Sequence, residues 1–99
     1  MFLYMTMEGL AKRGRSDQSL DEGLLPRVGH GDRAALEALY VQTEKAVYAL
    51  ALSILRDPED ARDVTQEVYL KVRAAAHLYV PQGKPLAWLF TTTRNLCRH

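Results

Sequence analysis

Between Arg33 and Leu55 the apolar residues Leu36, Leu39, Tyr40, Val47, Leu50, Ala51, Ile54 and Leu55 recur mostly at three- and four-residue steps. That period belongs to one face of an α-helix, so the spacing predicts a single long amphipathic helix. "GHGD", Gly29 to Asp32, precedes it. The glycines end a short leading helix expected over roughly 20–28, and Asp32 is placed to cap the long one. "RDPED" stops the long helix and starts the next. Asp57 is the N-cap, Pro58 stands where a missing N–H costs nothing, and Glu59 and Asp60 favour the positive helix end. This helix is expected to reach about Ala76. "YVPQGKP", Tyr79 to Pro85, breaks the pattern with two prolines and a glycine in seven residues, and predicts a loop. Pro85 opens a last helix expected to be still running at His99. Strand alternation, internal repeats and low-complexity runs are absent. The expected fold is all-α, a compact domain of three main helices, bundled or orthogonal, with a short leading one.

The first 25 residues, "MFLYMTMEGLAKRGRSDQSLDEGLL", break this regularity. "MFLYM" is apolar, but no basic residue precedes it and it is too short for a signal core or a membrane span, so no membrane insertion is expected. Met1, Met5 and Met7 crowd together, and the true start can lie at a later one. "KRGRSDQSLDEG" is polar and charge-mixed and reads as a mobile tail. Residues 1–19 are therefore expected to be disordered, with the domain over 20–99 becoming organised near Leu24.

The chain has 99 residues, enough for one small domain, and 47% of them are apolar. A chain of this size buries about 60–65% of its unfolded surface. The net charge of +1 is silent on a nucleic-acid partner. Cys97 is the single cysteine, which excludes an internal disulfide and a multi-cysteine metal site and fits a reducing cytoplasm. It falls on an apolar face, where a packed thiol is favoured over a reactive one. His30, His77 and His99 share no spacing for a metal or a catalytic pair. No phosphate-binding glycine loop is present, and the carboxylates lie on an open helix face rather than in a cleft. The chain reads as no enzyme, with no metal and no cofactor.

Two faces stand out. On a wheel of Asp57 to Ala76, at roughly 100° per residue, Ala61, Val64, Val68, Val72 and Ala75 gather on a core side. The opposite side carries Asp60, Asp63, Gln66, Glu67, Leu70 and Ala74. Solvation accounts for the carboxylates alone. Leu70 among them is less easily dismissed, since an apolar centre rimmed by charge is how a protein-docking surface is built. Acids there suit a basic partner surface. On the last helix Leu86, Leu89, Phe90, Thr93, Leu96 and Cys97 share the core face. The other face holds Trp88, Thr91, Arg94, Asn95 and Arg98. An outward indole beside arginines can stack on a base while its neighbours hold phosphates. It can equally pack on the loop or on the leading helix, and its two ring faces allow both.

The stretch "GDRAALEALYVQTEKAVYALALSILRDPEDARDVTQEVYLKVRAAAHLY", followed by a Pro/Gly loop and "LAWLFTTTRNL", resembles the second conserved region of bacterial sigma factors. The likeness is to the group-four, extracytoplasmic-function type and covers about 24–99. It implies a transcription initiation domain whose first stretch docks on the β′ clamp helices of the RNA polymerase core. The family motif, an aspartate with glutamine-glutamate three residues on, matches Asp63, Gln66 and Glu67, on the face shared with Asp60 and Leu70. The family's loop and last helix bind and help melt the promoter −10 element and hold a flipped base of the non-template strand. That implies DNA-binding roles for Tyr79, Lys84, Trp88, Thr91, Arg94, Asn95 and Arg98. Two departures thin this surface. Val80 follows Tyr79 where many relatives carry an acid, and Thr91 stands after "AWLF" where a basic residue is common. Fewer phosphate contacts mean weaker, less salt-sensitive DNA binding. The family's −35-reading helix-turn-helix is missing, so the chain is expected to be an isolated domain of a longer protein. A protein-interaction domain held by an anti-sigma factor, with little DNA binding of its own, is the alternative.

Overall fold

The structure, a computed structural model, describes residues 20–98. The expected tail over 1–19, and His99, lie outside them. Helix α1 spans Leu24–Gly29, α2 Arg33–Leu55, α3 Pro58–Ala75 and α4 Pro85–Cys97, with a single 3-10 turn over Ala76–Leu78 between α3 and α4. No strand occurs among the described residues, and the all-α expectation of three main helices with a short leading one is met.

Both aspartate caps form. Asp32 Oδ1 accepts from the Ala35 N–H at 3.1 Å. Asp57 Oδ1 accepts from the N–H groups of Glu59 and Asp60 at 2.8 and 3.2 Å. Each satisfies amides that a helix start leaves without partners. The hairpin of α2 and α3 is the largest contact, and α4 lies across both. Leu39, Val47, Val68, Val72 and Leu89 are fully buried where these helices meet, and Leu25 of α1 joins them.

The structure corrects the sequence reading in places. The leading helix begins at Leu24, four residues later than expected, and Leu20 to Gly23 are not a mobile tail. Leu20 is buried, and Asp21 accepts from the Gly23 N–H at 3.0 Å in a tight turn. The core face of α3 is Ala61, Thr65, Val68, Tyr69 and Val72, while Val64 and Ala75 are only half-buried. On α2, Tyr40 and Ile54 are exposed, and Ala35 and Thr43 are buried. The misreading has a cause. Thr43, Thr65 and Thr93 each donate a hydroxyl hydrogen to the carbonyl four residues back, Leu39, Ala61 and Leu89, at 2.7, 2.7 and 3.0 Å. A threonine satisfied within its own helix can be buried like a valine.

Tyr69 completes this polar seam. Its ring meets Tyr40 edge-on, with centroids 4.9 Å apart, and its hydroxyl lies 2.7 Å from Thr43 Oγ1. Thr43 already gives its hydrogen to Leu39, so the tyrosine donates. Burial pushes the Tyr69 phenol up to about 12. The Thr43 hydroxyl, which can turn to the phenolate, pulls the other way, and the Glu44 carboxylate and Tyr40 add to the rise.

The short α1 cannot stand alone and docks on α2 and on the 3-10 turn that follows α3. Gly29 makes that possible. A Cβ there would lie 2.8 Å from both N and Cα of His77 and 3.1 Å from the Ala76 carbonyl carbon. These are backbone atoms, which cannot swing aside.

Gly29→Ala is therefore expected to destabilise the domain. Helix propensity favours alanine by up to about 1 kcal/mol, and overpacking costs about 1–3 kcal/mol, so the clash wins. Urea unfolding followed by circular dichroism measures the balance. Tyr69 makes a separate prediction. A phenol held neutral by burial contributes stability that is full below pH 10 and lost as pH rises towards 12. The stability difference between wild type and Tyr69→Phe should shrink across that window. A constant difference from pH 8 to 12 would mean that Tyr69 ionises freely.

Candidate functional site

The shifted phase of α3 sharpens its outer face. Opposite the buried residues lie Asp63, Leu70 and Ala74, within roughly 25° of the outward line at 100° per residue. Gln66 flanks them on one side, and Glu67 and Asp60 on the other. All six are exposed, Leu70 at 63%. Among the described residues, the ion pairs are those of Arg27 with Asp21 and Asp32, at the domain's other end of the sequence, so Asp60, Asp63 and Glu67 are not tied up. An unpaired acid on a rigid helix is free to meet a cation on another molecule without first breaking a bond.

The second surface is built by the loop and α4. Tyr79 leaves the 3-10 turn in extended conformation, with its N–H donated to the Ala76 carbonyl at 3.0 Å. Gly83 turns the loop at φ +77°, a left-handed conformation that side chains rarely adopt. Pro85 is buried at the first position of α4, and the Lys84 carbonyl accepts from the Trp88 N–H at 3.1 Å. Between loop and helix lies an open groove of about 410 Å³. Leu78, Tyr79, Val80, Gln82 and Lys84 line one side, and Ala87, Trp88 and Thr91 the other.

Of the residues expected on this surface, Tyr79, Lys84, Trp88 and Thr91 come together in the groove. Arg94, Asn95 and Arg98 are exposed further along α4 and do not line it. At 1.5 Å per residue, Arg94 and Arg98 lie about 9 and 15 Å beyond Trp88 along the axis. The indole is half-buried. It packs against the core and meets Tyr79 edge-on, centroids 5.7 Å apart and planes at 67°. Packing on the loop and facing the groove thus coexist in one side chain. Cys97 is half-buried, and burial raises its thiol above the ordinary range, which disfavours the reactive thiolate.

One residue escaped the sequence reading. Both carboxylate oxygens of Glu22 accept from the Tyr79 hydroxyl at 3.1 Å, and Oε2 also accepts from the Gly83 N–H at 2.9 Å. Burial raises the Tyr79 phenol, and the hydrogen bond it donates to the Glu22 carboxylate is a further cause of the rise. Glu22 stands 57 residues from Tyr79 in a polar stretch, and no periodicity or motif marked it.

Comparison with known proteins now bears on both surfaces. Residues 39–99 match the Sigma-70 region 2 family. The chain belongs to this family. The match begins inside α2 and takes in α3, the groove and α4. Among curated proteins, an ECF RNA polymerase sigma factor SigK from Mycobacterium sp. (strain KMS) is 42% identical over 69 residues, 69% of this chain and 36% of its own length. SigK of Mycobacterium ulcerans is 40% identical over 79 residues, 79% of this chain and 41% of its own. SigK of Mycobacterium tuberculosis is 41% identical over 71 residues, covering 71% and 38%. The chain therefore spans about two fifths of the length of these sigma factors. No solved structure gives a significant match. A sigma region 2 has no catalytic role. Among the described residues no helix is long and apolar enough to cross a membrane.

Proposed function

We propose that this region 2 docks on the β′ clamp helices of the RNA polymerase core through α3 and engages the non-template strand of the promoter −10 element through the groove and α4. The observation that carries the reading is the outward line of Asp63, Leu70 and Ala74, flanked by Gln66, Glu67 and Asp60. Family membership supports it, since the names of the relatives describe RNA polymerase sigma factors. Leu70 supplies the apolar centre and the acids supply orientation and on-rate. On the second surface, Tyr79 and Trp88 offer aromatic surface to an unpaired base, and Thr91 and Asn95 offer hydrogen bonds. Lys84, Arg94 and Arg98 are the cations available to phosphates. Work of this kind belongs in the cytoplasm.

A second reading has its own support. Trp88 is half-covered and braced by Tyr79 in the free domain. A domain whose indole is partly occupied suits a protein-interaction role, held by an anti-sigma factor, with DNA contact deferred until polymerase is bound.

Two measurements test the proposal. Asp63→Ala combined with Glu67→Ala, and separately Leu70→Glu, should weaken capture of the polymerase core severely. All three positions are exposed, so stability should move by only about 0.5 kcal/mol. Binding at wild-type strength would remove α3 as the docking face, and a large loss of thermal stability for Leu70→Glu would make it a core residue. For DNA, Trp88→Ala should cost about 1–3 kcal/mol in anisotropy titrations of a −10 non-template oligonucleotide. Circular dichroism should accompany them, because the indole also packs on the core. Arg94 and Arg98 should give a salt slope near −1.4, and Lys84 would bring it to about −2. Equal affinities for wild type and variant would take Trp88 out of the site.

A further inference from the structure

We infer that Glu22 is a positioning residue that holds the 79–84 loop, and Trp88 through it, in the shape that receives a −10 nucleotide. This rests on the reading of the groove as the DNA surface.

The carboxylate is fixed before it reaches the loop. Leu20 on one side and Leu24 and Leu25 on the other are buried, and Asp21 closes a turn onto the Gly23 N–H at 3.0 Å. Glu22 then bridges the two ends of the loop, taking the Tyr79 hydroxyl at 3.1 Å and the Gly83 N–H at 2.9 Å. Hydrogen bonds to a carboxylate are stronger than those between neutral groups, so two of them hold a loop with a left-handed glycine at its turn to one conformation. The hold passes on to the site, because the Tyr79 ring meets Trp88 edge-on at 5.7 Å. Neither Glu22 nor Gly83 lines the groove, whereas Tyr79, Gln82 and Lys84 do. The carboxylate braces the loop from outside the place a base would occupy, and does not fill it. Ordering a loop in advance removes part of the entropy that binding otherwise costs.

Charge and positioning predict opposite signs, which makes the inference testable. A carboxylate near DNA repels phosphate, so by charge alone Glu22→Ala should tighten binding. Positioning predicts weaker binding, by about three- to tenfold, the scale of one net hydrogen bond. The experiment uses the 99-residue chain and a fluorescent −10 non-template oligonucleotide, with wild type, Glu22→Ala, Glu22→Gln, Tyr79→Phe and Glu22→Ala/Tyr79→Phe. Glutamine keeps one acceptor oxygen and should recover part of the affinity. The double variant should lose less than the sum of the two single losses, as coupled partners do. Without DNA, the emission of the single tryptophan and the hydrogen exchange of the Gly83 amide report the clasp directly. Both should change in Glu22→Ala. Unchanged emission and exchange would overturn the clasp. A changed clasp with equal or tighter oligonucleotide binding would overturn the positioning role. No binding by wild type would remove the DNA reading and the positioning role together, while altered Gly83 exchange would still show that the clasp itself holds the loop.

Discussion

Backbone meets backbone where α1 ends, and most of the second surface depends on that contact. The missing side chain of Gly29 lets the helix lie against His77 and Ala76. Six residues of helix have no independent stability. Once docked, however, α1 brings Leu24, Leu25 and Val28 into the core and carries the preceding turn to the start of the loop. Glu22 can then reach Tyr79 and Gly83. A residue far from the groove in sequence, and outside the 39–99 region matched by the family, thereby becomes part of its frame. Widening the contact at Gly29 would move Glu22 away from the loop without altering a single groove residue.

The first surface is governed by the phase of α3. Its rotation is set by what it buries against α2 and α4, and two of those residues are polar. Thr65 is satisfied by its own helix, and Tyr69 by Thr43 across the hairpin. With that pair inside, the outward line falls on Asp63, Leu70 and Ala74. A rotation of roughly 36° would swing Glu67 to the centre and carry Leu70 to the edge. The exposed stripe of Asp63, Leu70 and Ala74 is therefore fixed by buried hydroxyls on the other side of the same helix.

That dependence also explains what was legible in the sequence. The limits of α2 and the starts of α3 and α4 could be read because caps, prolines and glycines act locally. The outer face of α3 could be read because exposed carboxylates mark it whatever the exact phase. The set of core residues could not be read as well. The pattern passed over Thr43, Thr65 and Tyr69, whose hydroxyls look like surface groups, and only the tertiary partner of the tyrosine hydroxyl shows that it is satisfied inside. Trp88 was readable as an indole with one ring face for packing and one left open, and it meets Tyr79 of the loop edge-on while lining the groove. Arg94, Asn95 and Arg98 shared a face with it on the wheel, but a wheel discards distance along the axis, and only Thr91 stays with Trp88 in the groove. Glu22 was beyond reach, because a contact spanning 57 residues leaves no periodic trace.

The near-zero net charge hides a separation of charge. Asp60, Asp63 and Glu67 lie on the outward side of α3, with the exposed Arg62, Lys71 and Arg73 away from that line, while Lys84, Arg94 and Arg98 are exposed on the loop and α4. Each set is small. Three cations spread along the loop and α4 neutralise few phosphates, and Glu22 behind the loop offsets part of their field. Electrostatics alone thus gives the second surface only a weak hold on a strand. What remains is shape. Leu78 and Val80 are 68% and 63% exposed at the groove, beside Tyr79 and the half-buried indole. An apolar, aromatic groove held by a hydrogen-bonded loop favours a base already out of its stack over a duplex. On the proposed reading, with so few cations, selectivity for an unpaired nucleotide has to come from that fixed shape, and so from the residues that hold the loop as much as from those that line it.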